Sequence, residues 1–450
     1  MKTLWSSYGR NRPILALFAA FVVWKSLLAL IVLTAPGVGY DTSTSLLSSR
    51  TGGDNVVFSE PEPMPSSWFK FIRWDAIYYT HMSEQGHVFE QEWAFGIGLS
   101  TGISWIARFL SALGVSVRLS STLAGVALSH TSHWLSVIQL WVLTKAIAEE
   151  MQCPDYYNLP LNAAALHIIS PAGVFLSAPY SESPFSFLSM SSFLSFVYAL
   201  QRFKNNQNVA GSTSMVLAGL RSCVATMLRS NGVLAGIPFL FEAITTALSI
   251  LSQGLSTVRI TRIASLIAGG LLVGIGMAYP QFLAYKEYCY GRSPDDRRPW
   301  CNLTLPSIFT WVQSHYWNVG PFRYWTVSNL PLFLLAGPSI WLLTYSAIDA
   351  LRRPSSLVPG LSPASAGSIS SNQKRIIMSL ALPQLVLAIL ALTSYHVQII
   401  TRLSSGYPLW YIWLASKLTD EPRTASLAVR WMVLYALIQA GLYACFLPPA

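Results

Sequence analysis

Long apolar runs separated by short polar segments follow one another along most of this 450-residue chain. An apolar run of about 17–25 residues is long enough to cross the hydrocarbon core of a bilayer as an α-helix. Candidate runs lie near residues 14–35, 118–144, 159–178, 184–201, 213–228, 231–250, 263–286, 327–349, 376–398, 405–417 and 428–446. The pattern predicts an all-α polytopic membrane protein with about eleven transmembrane helices, in a single domain over residues 1–450.

Two segments near the start of the chain have their own interpretation. Residues 13–35 lack a convincing small-residue cleavage site, so we interpret them as a retained signal anchor. Residues 99–113 form a shorter run that is interrupted by Arg108. We expect this run to be an interfacial helix, because counting it as a span would put later basic loops on the wrong side of the membrane.

The basic residues predict the orientation. Lys2, Arg10 and Arg12 precede the first span without an acidic neighbour, so the N-terminus is expected in the cytosol. Alternating spans then give cytosolic loops that carry Lys145, Arg202, Lys204, Arg259, Arg262, Arg352, Arg353, Lys374, Arg375, Lys417 and Arg423. The lumenal side receives two long loops, residues 36–98 and 287–326, and two short ones near 177–184 and 399–406. Residues 350–375 are rich in Ser, Pro and Gly and predict a flexible cytosolic linker.

The composition supports a membrane protein and argues against a nucleic-acid-binding one. Hydrophobic residues make up 52% of the chain, charged residues make up 11%, and the mean hydropathy is +0.44. A soluble domain carries about 25% charged residues. The net charge of +10 comes from short clusters between apolar runs and not from a basic stripe on one domain.

The five cysteines lie far apart and contain no CxxC pair, so neither a zinc site nor a thioredoxin-like motif is predicted. Cys289 and Cys301 share the second predicted lumenal loop, where an oxidising compartment permits a disulfide. Asn302-Leu303-Thr304 follows directly and is an N-glycosylation acceptor sequence.

The first predicted lumenal loop contains a candidate catalytic carboxylate, Asp75, beside Arg73 and Trp74. Because Trp74 and the following Tyr78 and Tyr79 are interfacial in type, Asp75 is expected at headgroup depth. A carboxylate there can deprotonate an acceptor hydroxyl while a lipid phosphate leaves from the opposite face of a sugar. The alternative is that Arg73 and Asp75 only form an ion pair that orients the loop.

Further polar residues lie near the predicted lumenal ends of later spans: Tyr180 with Glu182, Arg229 with Asn231, and Arg402. Polar groups near the membrane tend to face a cavity and mark a site. Arginine at this surface suits a phosphate, through paired hydrogen bonds. The alternative for each arginine is that it extends to the lipid headgroups.

Residues 313–325 form a segment dense in aromatic and amide side chains. Its candidate ligand-binding residues are Gln313, Tyr316, Trp317, Asn318 and Arg323. Aromatic faces and amide hydrogen bonds are typical of a surface that binds sugars. The alternative is an aromatic belt at the membrane interface.

Two features lie inside predicted spans. Lys25 is about mid-way through the first span, too deep to reach the surface easily, which implies a partner or a water-filled cavity. His130 and His133 are three residues apart on a predicted helix, but the sequence offers no third ligand, so no metal site is predicted.

Four blocks of this sequence resemble the GPI mannosyltransferase 2 family. They are RWDAIYY at 73–79 with Gly86 and the following WAF at 93–95, SPAGVF and APYSE within 170–182, RSNG at 229–232, and residues 313–325. A weaker fifth block covers residues 402–408, so the likeness runs in order from about residue 70 to about 408. The QxxYWNVG pattern at 313–320 is the most specific block. The family usually continues its first block with an aromatic–Pro–Leu run, where this chain has GIGLS at 96–100.

The resemblance implies a type C glycosyltransferase fold in the endoplasmic-reticulum membrane, with a lumenal active site. It implies dolichyl-phosphate mannose as donor and mannosylated glucosaminyl-acylphosphatidylinositol as acceptor, which receives a second, α-1,6-linked mannose with inversion. An acidic residue of the first lumenal loop is the expected base in that superfamily, corresponding here to Asp75, with Glu182 as second candidate. The residues expected to bind substrate are Arg73, Trp74, Tyr180, Arg229, Asn231, Gln313, Tyr316, Trp317, Asn318, Arg323 and Arg402. No metal or other cofactor is expected, and a small accessory membrane subunit is a further candidate partner.

Three other functions remain open at this point. A transferase with the same kind of donor could act on a different acceptor, such as a protein. Only the family blocks distinguish this hypothesis from a transferase that acts on the GPI precursor. A lipid or ion transporter would carry polar groups through the membrane midplane, whereas here they gather at one surface. A non-catalytic subunit of a lumenal complex would tolerate loss of Asp75 with only an effect on stability.

Overall fold

The computed structural model describes residues 11–36, 66–153, 155, 157–359 and 369–447. In these ranges the chain forms α-helices and 3₁₀ turns and has no β-strand, so the all-α prediction is confirmed. The α-helices are α1 (Pro13–Thr34), α2 (Ser66–Phe69), α3 (Asp75–Gln85), α4 (Gly98–Ala112), α5 (Val117–Glu150), α6 (Asn158–Ile168), α7 (Glu182–Lys204), α8 (Asn208–Leu228), α9 (Gly236–Gln253), α10 (Thr257–Tyr288), α11 (Ile308–His315), α12 (Leu330–Arg352), α13 (Ser371–Thr393), α14 (Ile400–Leu403), α15 (Leu409–Asp420) and α16 (Pro422–Ala444).

Seven helical segments in the described ranges are long and apolar enough to cross a membrane. They are Pro13–Thr34, Glu182–Lys204, Ser230–Gln253, Thr257–Tyr288, Val327–Arg352, Ser371–Thr393 and Pro422–Ala444. The other four predicted runs also fall on helices, but α6 and α15 have only 11 and 12 residues, and α5 and α8 are less apolar. The polytopic class is therefore confirmed, and the number of eleven spans stays a prediction.

Helix α7 is the centre of the bundle. Of its most apolar stretch 83% is buried, against 28% for α10 and α16, which present most of their apolar surface outward. Helix α7 packs against α5 and α8, and α8 packs closely against α10. A Cβ added at Gly219 of α8 would lie 2.4 Å from the Cα of Gly269 in α10, so this approach of two backbones requires glycine.

Helix α4, which was expected to be interfacial, is one-sided. Leu99, Ile103 and Ala107 are buried, whereas Trp105 and Phe109 are exposed on the other side. This distribution is typical of a helix with one face on protein and one on lipid. Its depth relative to the membrane stays a prediction.

Between α6 and α7 the chain crosses the interior without a regular α-helix. The predicted span at residues 159–178 is helical only as far as Ile168, and Pro171 has no amide hydrogen with which to continue the helix. Lys25 of α1 supports this segment, donating from Nζ to the Leu176 carbonyl at 2.7 Å and to the Ser177 hydroxyl at 2.8 Å. These contacts identify the partners of Lys25, and they satisfy backbone that lipid alone would leave unpaired.

The predicted loops are partly structured. Residues 37–65 of the first loop and 360–368 of the linker lie outside the described residues. The rest of the first loop contains α2, α3 and a 3₁₀ turn at Glu90–Phe95. In the second loop, a disulfide joins Cys289 to Cys301. The linker is shorter than predicted, since α12 extends to Arg352 and α13 begins at Ser371.

The molecule has two distinct polar ends. Helix α7 begins at Glu182 and ends at Lys204, and its 23 residues measure about 34 Å at 1.5 Å per residue. We call these the Asp75 end and the Lys204 end. At the Lys204 end, Glu150 binds Lys204 at 2.8 Å and Asn372 at 3.0 Å, which joins three of the loops predicted to be cytosolic.

Candidate active site

Two carboxylates and two guanidinium groups meet at the Asp75 end. Arg402 donates from Nε to Glu182 Oε1 at 2.7 Å and from Nη2 to Asp75 Oδ2 at 2.8 Å. Arg229 Nη1 lies 2.7 Å from the same Glu182 oxygen. We call Asp75, Glu182, Arg229 and Arg402 the charge cluster. Its four formal charges sum to zero before any substrate binds.

Helix termini present these side chains. Asp75 is the first residue of α3 and Glu182 is the first residue of α7. A carboxylate at a helix N-terminus is favoured by the helix dipole, typically by about 0.3–1 kcal/mol. Arg229 directly follows the last residue of α8, and Arg402 lies in the short helix α14. Four separate elements therefore converge on one cluster.

Aromatic rings surround the Arg402 guanidinium. Its central carbon lies 4.4 Å from the Phe175 ring centroid and 5.0 Å from that of Tyr180. Burial disfavours the charged form, but Glu182 and Asp75 outweigh it and hold the pKa of Arg402 well above its ordinary value. Arg402 is therefore a fixed positive charge, and Tyr180 is one of the rings that hold it in place.

Ser181 and Tyr79 tie the charge cluster to α3. Arg229 donates to the Ser181 hydroxyl at 3.1 Å. The same hydroxyl is 2.8 Å from the Tyr79 hydroxyl. These links fix the start of α7 against the helix that carries Asp75.

The two carboxylates differ in accessibility. The Asp75 side chain is 31% exposed, whereas that of Glu182 is 1% exposed. Glu182 Oε2 also has no hydrogen-bond partner among the described residues. Asp75 is therefore the more accessible of the two carboxylates, and Glu182 is the residue that holds both arginines.

The backbone before Asp75 adopts an unusual conformation. Trp74 has φ 54° and ψ −126°, a region that glycine occupies readily. For a bulky residue such a conformation costs about 1–3 kcal/mol and persists only where the surroundings enforce it. The centroids of the Trp74 and Phe446 rings are 5.1 Å apart. The Arg73 guanidinium lies 5.0 Å from the Phe446 ring centroid, and Arg73 is only 4% exposed. Both side chains, which are predicted to bind substrate, therefore pack against Phe446.

Asn231 supports the turn after Arg229. Its amide donates to the Tyr407 hydroxyl at 3.3 Å, and both residues are buried. This contact joins the turn Ser230–Ala235 to the segment between α14 and α15. The predicted site residue Asn231 thus lies behind Arg229.

A second cluster connects the two predicted lumenal loops. Glu90 accepts hydrogen bonds from Arg298 Nε and Nη2 at 2.7 and 2.6 Å, from Trp300 Nε1 at 3.0 Å, and from the Tyr316 hydroxyl at 3.0 Å. Burial raises the pKa of Glu90, but these hydrogen bonds outweigh it and leave the pKa below its ordinary value. Tyr316, predicted to bind substrate, is therefore a partner of Glu90.

Phe95 brings the aromatic segment 313–325 next to α3. Its ring centroid lies 5.0 Å from that of Tyr78, 5.5 Å from that of Tyr79 and 5.4 Å from that of Trp317. The Trp317 carbonyl is also bound by His396 at 2.9 Å. Trp317 is therefore connected through the Phe95 ring to α3, the helix of Asp75.

The remaining predicted residues of the second loop are near its surface. Gln313 is half-buried, and Asn318 and Arg323 are exposed. Asn302 of the acceptor sequence is exposed as well and directly follows the disulfide-bonded Cys301.

Several residues of the site were not predicted individually. Tyr79, Ser181 and Phe175 lie inside the family blocks, so the blocks carried a signal for them. Tyr407 lies inside the weaker fifth block, whereas Tyr443 carried no signal, because it is one aromatic residue in an apolar stretch. In the described residues, no group of three or more His, Cys, Asp or Glu side chains is arranged to hold a metal ion.

Together the fold and the site define a class: an integral membrane protein with a charge cluster at one end of its helices, partly open through one carboxylate. Residues 14–450 match the family model described as Mannosyltransferase (PIG-V). A relative from Aspergillus oryzae, named GPI mannosyltransferase 2, is 40% identical over 98% of this chain and 96% of its own length. A relative of the same name from Gibberella zeae is 40% identical over 98% and 99%. The chain belongs to the PIG-V mannosyltransferase family.

Family membership confirms the predicted enzyme class, a glycosyltransferase, and the predicted role in mannose transfer for GPI-anchor biosynthesis. Among solved structures, an archaeal oligosaccharyltransferase from Archaeoglobus fulgidus, in complex with an inhibitory peptide and a dolichol-phosphate, is 14% identical with a TM-score of 0.46. The match covers 96% of this chain, which spans 56% of that protein's length.

Proposed function

We propose that this protein transfers mannose from dolichyl-phosphate mannose to the one-mannose GPI precursor, mannosylated glucosaminyl-acylphosphatidylinositol. The product carries a second, α-1,6-linked mannose, and the reaction takes place on the lumenal side of the endoplasmic-reticulum membrane. Membership of the PIG-V family supports the sugar and the pathway. The observation that carries the site assignment is the partly exposed Asp75, bound to Arg402 within the charge cluster.

Asp75 is the proposed base. The acceptor hydroxyl oxygen forms a bond to C1 of mannose as the bond from C1 to the dolichyl-phosphate oxygen breaks. The hydroxyl proton goes to Asp75, and the electron pair of the broken bond leaves with dolichyl phosphate. Attack opposite the leaving group inverts the configuration at C1 and needs one base.

The arginines supply the complement to the leaving phosphate. Arg402 and Arg229 have side chains that are each 15% exposed, so they can reach a substrate from a largely dry site. A phosphate that binds Arg402 would compete with Asp75 for Nη2. Donor binding would then free Asp75 to act on the acceptor while Glu182 keeps Arg402 in place, since the Nε contact to Glu182 is separate.

Three features support the lumenal assignment of the Asp75 end. The disulfide Cys289–Cys301 suits an oxidising compartment. The exposed acceptor sequence at Asn302 belongs to the same loop. Trp300 and Tyr316 of this loop bind Glu90 of the first loop, so both loops share one side of the membrane.

The test is Asp75→Asn in cells that lack the endogenous enzyme. We expect normal protein levels, no GPI-anchored protein at the cell surface and accumulation of the one-mannose precursor, because loss of a general base typically lowers a rate by about 10²–10⁴-fold. Asp295→Asn is the matched control, an exposed aspartate of the second loop, and should restore surface expression fully. Full rescue by Asp75→Asn would exclude Asp75 as the base.

A further inference from the structure

The turn Arg73–Asp75 is held in its strained conformation by two buried hydroxyls. Tyr443, in the last turn of α16, accepts a hydrogen bond from the Arg73 amide at 3.2 Å and donates to the Phe71 carbonyl at 2.9 Å. The Tyr180 hydroxyl donates to the Arg73 carbonyl at 3.0 Å. The backbone just before Trp74 is therefore fixed on both sides of the Arg73 residue.

These hydroxyls lie in a dry environment. Tyr443 and Tyr180 are fully buried, and Phe71 is 6% exposed. The two tyrosine rings also contact the Phe175 ring, with centroid distances of 5.5 and 4.9 Å. Because little water reaches this place, loss of the Tyr443 hydroxyl would remove a buried hydrogen bond from both the Arg73 amide and the Phe71 carbonyl. The Arg73 carbonyl also accepts from the Ala76 amide at 3.1 Å and from Tyr443 at 3.3 Å, so loss of the Tyr180 hydroxyl would remove one of its three hydrogen bonds.

The strained residue directly precedes Asp75. At φ 54° the chain reverses at Trp74, and the reversal sets the direction in which α3 starts. The direction of that first residue determines whether Asp75 Oδ2 meets Arg402 at 2.8 Å. If Trp74 relaxed to negative φ, the Asp75 side chain would point elsewhere.

We propose that Tyr443 is a positioning residue for the transfer reaction, acting through the Arg73–Trp74 backbone on the orientation of Asp75. Helix α16 thereby takes part in catalysis without touching substrate. This inference rests on the proposed function, since it requires Asp75 to be the base.

The test is Tyr443→Phe, which keeps the ring and removes only the hydroxyl. The full-length purified protein is assayed for transfer of mannose from dolichyl-phosphate mannose to the one-mannose precursor. We expect kcat to fall by about 10- to 100-fold with KM for the donor nearly unchanged, because small misplacements of a catalytic group have effects of this size. Tyr411→Phe is the matched control, a fully buried tyrosine whose hydroxyl binds Ser170 at 2.9 Å, and kcat should stay within about two-fold.

The double variant Asp75→Asn/Tyr443→Phe tests the route. If Tyr443 acts through Asp75, the double variant is no slower than Asp75→Asn alone. Independent, multiplicative losses would overturn the proposal even if Asp75 is the base. An Asp75→Asn protein with wild-type activity would instead exclude Asp75 as the base, whatever the effect of Tyr443→Phe, which separates the two failures.

A second variant covers the case in which Tyr443→Phe does not fold. Tyr180→Phe removes the other hydroxyl on Arg73 and keeps the ring beside Arg402. A smaller fall in kcat without a change in the donor KM is expected, because the Arg73 carbonyl keeps its hydrogen bonds from the Ala76 amide and from Tyr443. Wild-type kcat in either folded variant would overturn the proposal.

Discussion

Glu182 and Glu242 are both buried, with side chains 1% and 0% exposed, and each is held by two arginines. The arginines are Arg229 and Arg402 for Glu182, and Arg262 and Arg375 for Glu242. Each glutamate also keeps one oxygen without a hydrogen-bond partner within the described residues. By residue type, distance and burial, the two clusters are close to equivalent.

The two clusters differ in the further contacts that their arginines make. Arg402 continues to Asp75, a second carboxylate that is 31% exposed. Over the described ranges, Arg262 and Arg375 form ion pairs with Glu242 alone, and they join α9, α10 and α13. Because structural ion-pair networks of this kind also occur away from active sites, a buried ion pair alone does not identify one. The accessible carboxylate at its edge is what distinguishes a candidate active site from a structural connection.

The largest expected difference in activity between the two clusters comes from removing the charge of each glutamate. Glu182→Gln and Glu242→Gln both leave two guanidinium groups short of a buried carboxylate, which typically costs about 3–5 kcal/mol of stability. Glu182→Gln should also lower activity per folded molecule by about 100-fold, because Arg402 loses the contact that holds it near Asp75. Glu242→Gln should leave that activity near wild type.

The measurement is mannose transfer normalised to monodisperse protein recovered in detergent, with thermal unfolding of the same samples. Equal losses of specific activity in both variants would show that the two clusters do not differ in function. Unchanged specific activity in Glu182→Gln would show that catalysis does not require the contact between Glu182 and Arg402.

A smaller effect is expected from replacing one arginine by lysine at each cluster. Arg402 uses two nitrogens in different directions, Nε toward Glu182 and Nη2 toward Asp75. A lysine ammonium is a single point charge and cannot reproduce this fork. Arg402→Lys should lower kcat by about 10-fold. Arg375 makes a single contact to Glu242, at 3.1 Å, so Arg375→Lys should leave kcat unchanged.

Steady-state kinetics on both variants checks this prediction. A fall in kcat for Arg375→Lys of the same size would indicate that the Lys204 end controls activity. A wild-type kcat for Arg402→Lys would mean that the bridging geometry is dispensable.

The components of the charge cluster could be predicted from sequence, but their connection could not. Asp75 is identified as a carboxylate of the first predicted lumenal loop, and Glu182, Arg229 and Arg402 as polar residues near predicted lumenal ends of spans. Residue type and side of the membrane follow from local pattern. That Arg402 bridges two carboxylates depends on how α3, α7 and α14 pack, across 327 positions between Asp75 and Arg402.

The same limit explains the residues that were missed or read differently. Tyr443 acts on backbone atoms of Phe71 and Arg73, and the sequence of an apolar helix does not show which backbone atoms it will meet. The residue type of Trp74 predicts an interfacial position, and it does not show that the ring packs on Phe446 after a residue with positive φ. All-α class and most helix positions followed from hydropathy alone.

The smallest expected effect is a pH-dependent change in thermal stability, caused by His81 on α3, the helix of Asp75. His81 Nδ1 lies 2.5 Å from Glu92 Oε1, and the His81 and Glu92 side chains are 27% and 1% exposed. The hydrogen bond to Glu92 raises the pKa of His81 above its ordinary 6.5, against the effect of burial, with Glu84 adding in the same direction. The folded protein therefore binds this proton more tightly than the unfolded chain does.

The sign follows from that difference. The stabilisation by His81 is fully present below pH 6.5 and is lost as the pH rises through the higher folded pKa. The thermal midpoint of wild type should exceed that of His81→Gln most below pH 6.5, and the gap should narrow at higher pH by an amount on the order of 1 °C. In a Glu92→Gln background, the narrowing should be much smaller, because the main partner that raises the pKa of His81 is gone and only Glu84 is left. If the difference in thermal midpoint between wild type and His81→Gln widened as the pH rises, the His81–Glu92 ion pair could not be its cause.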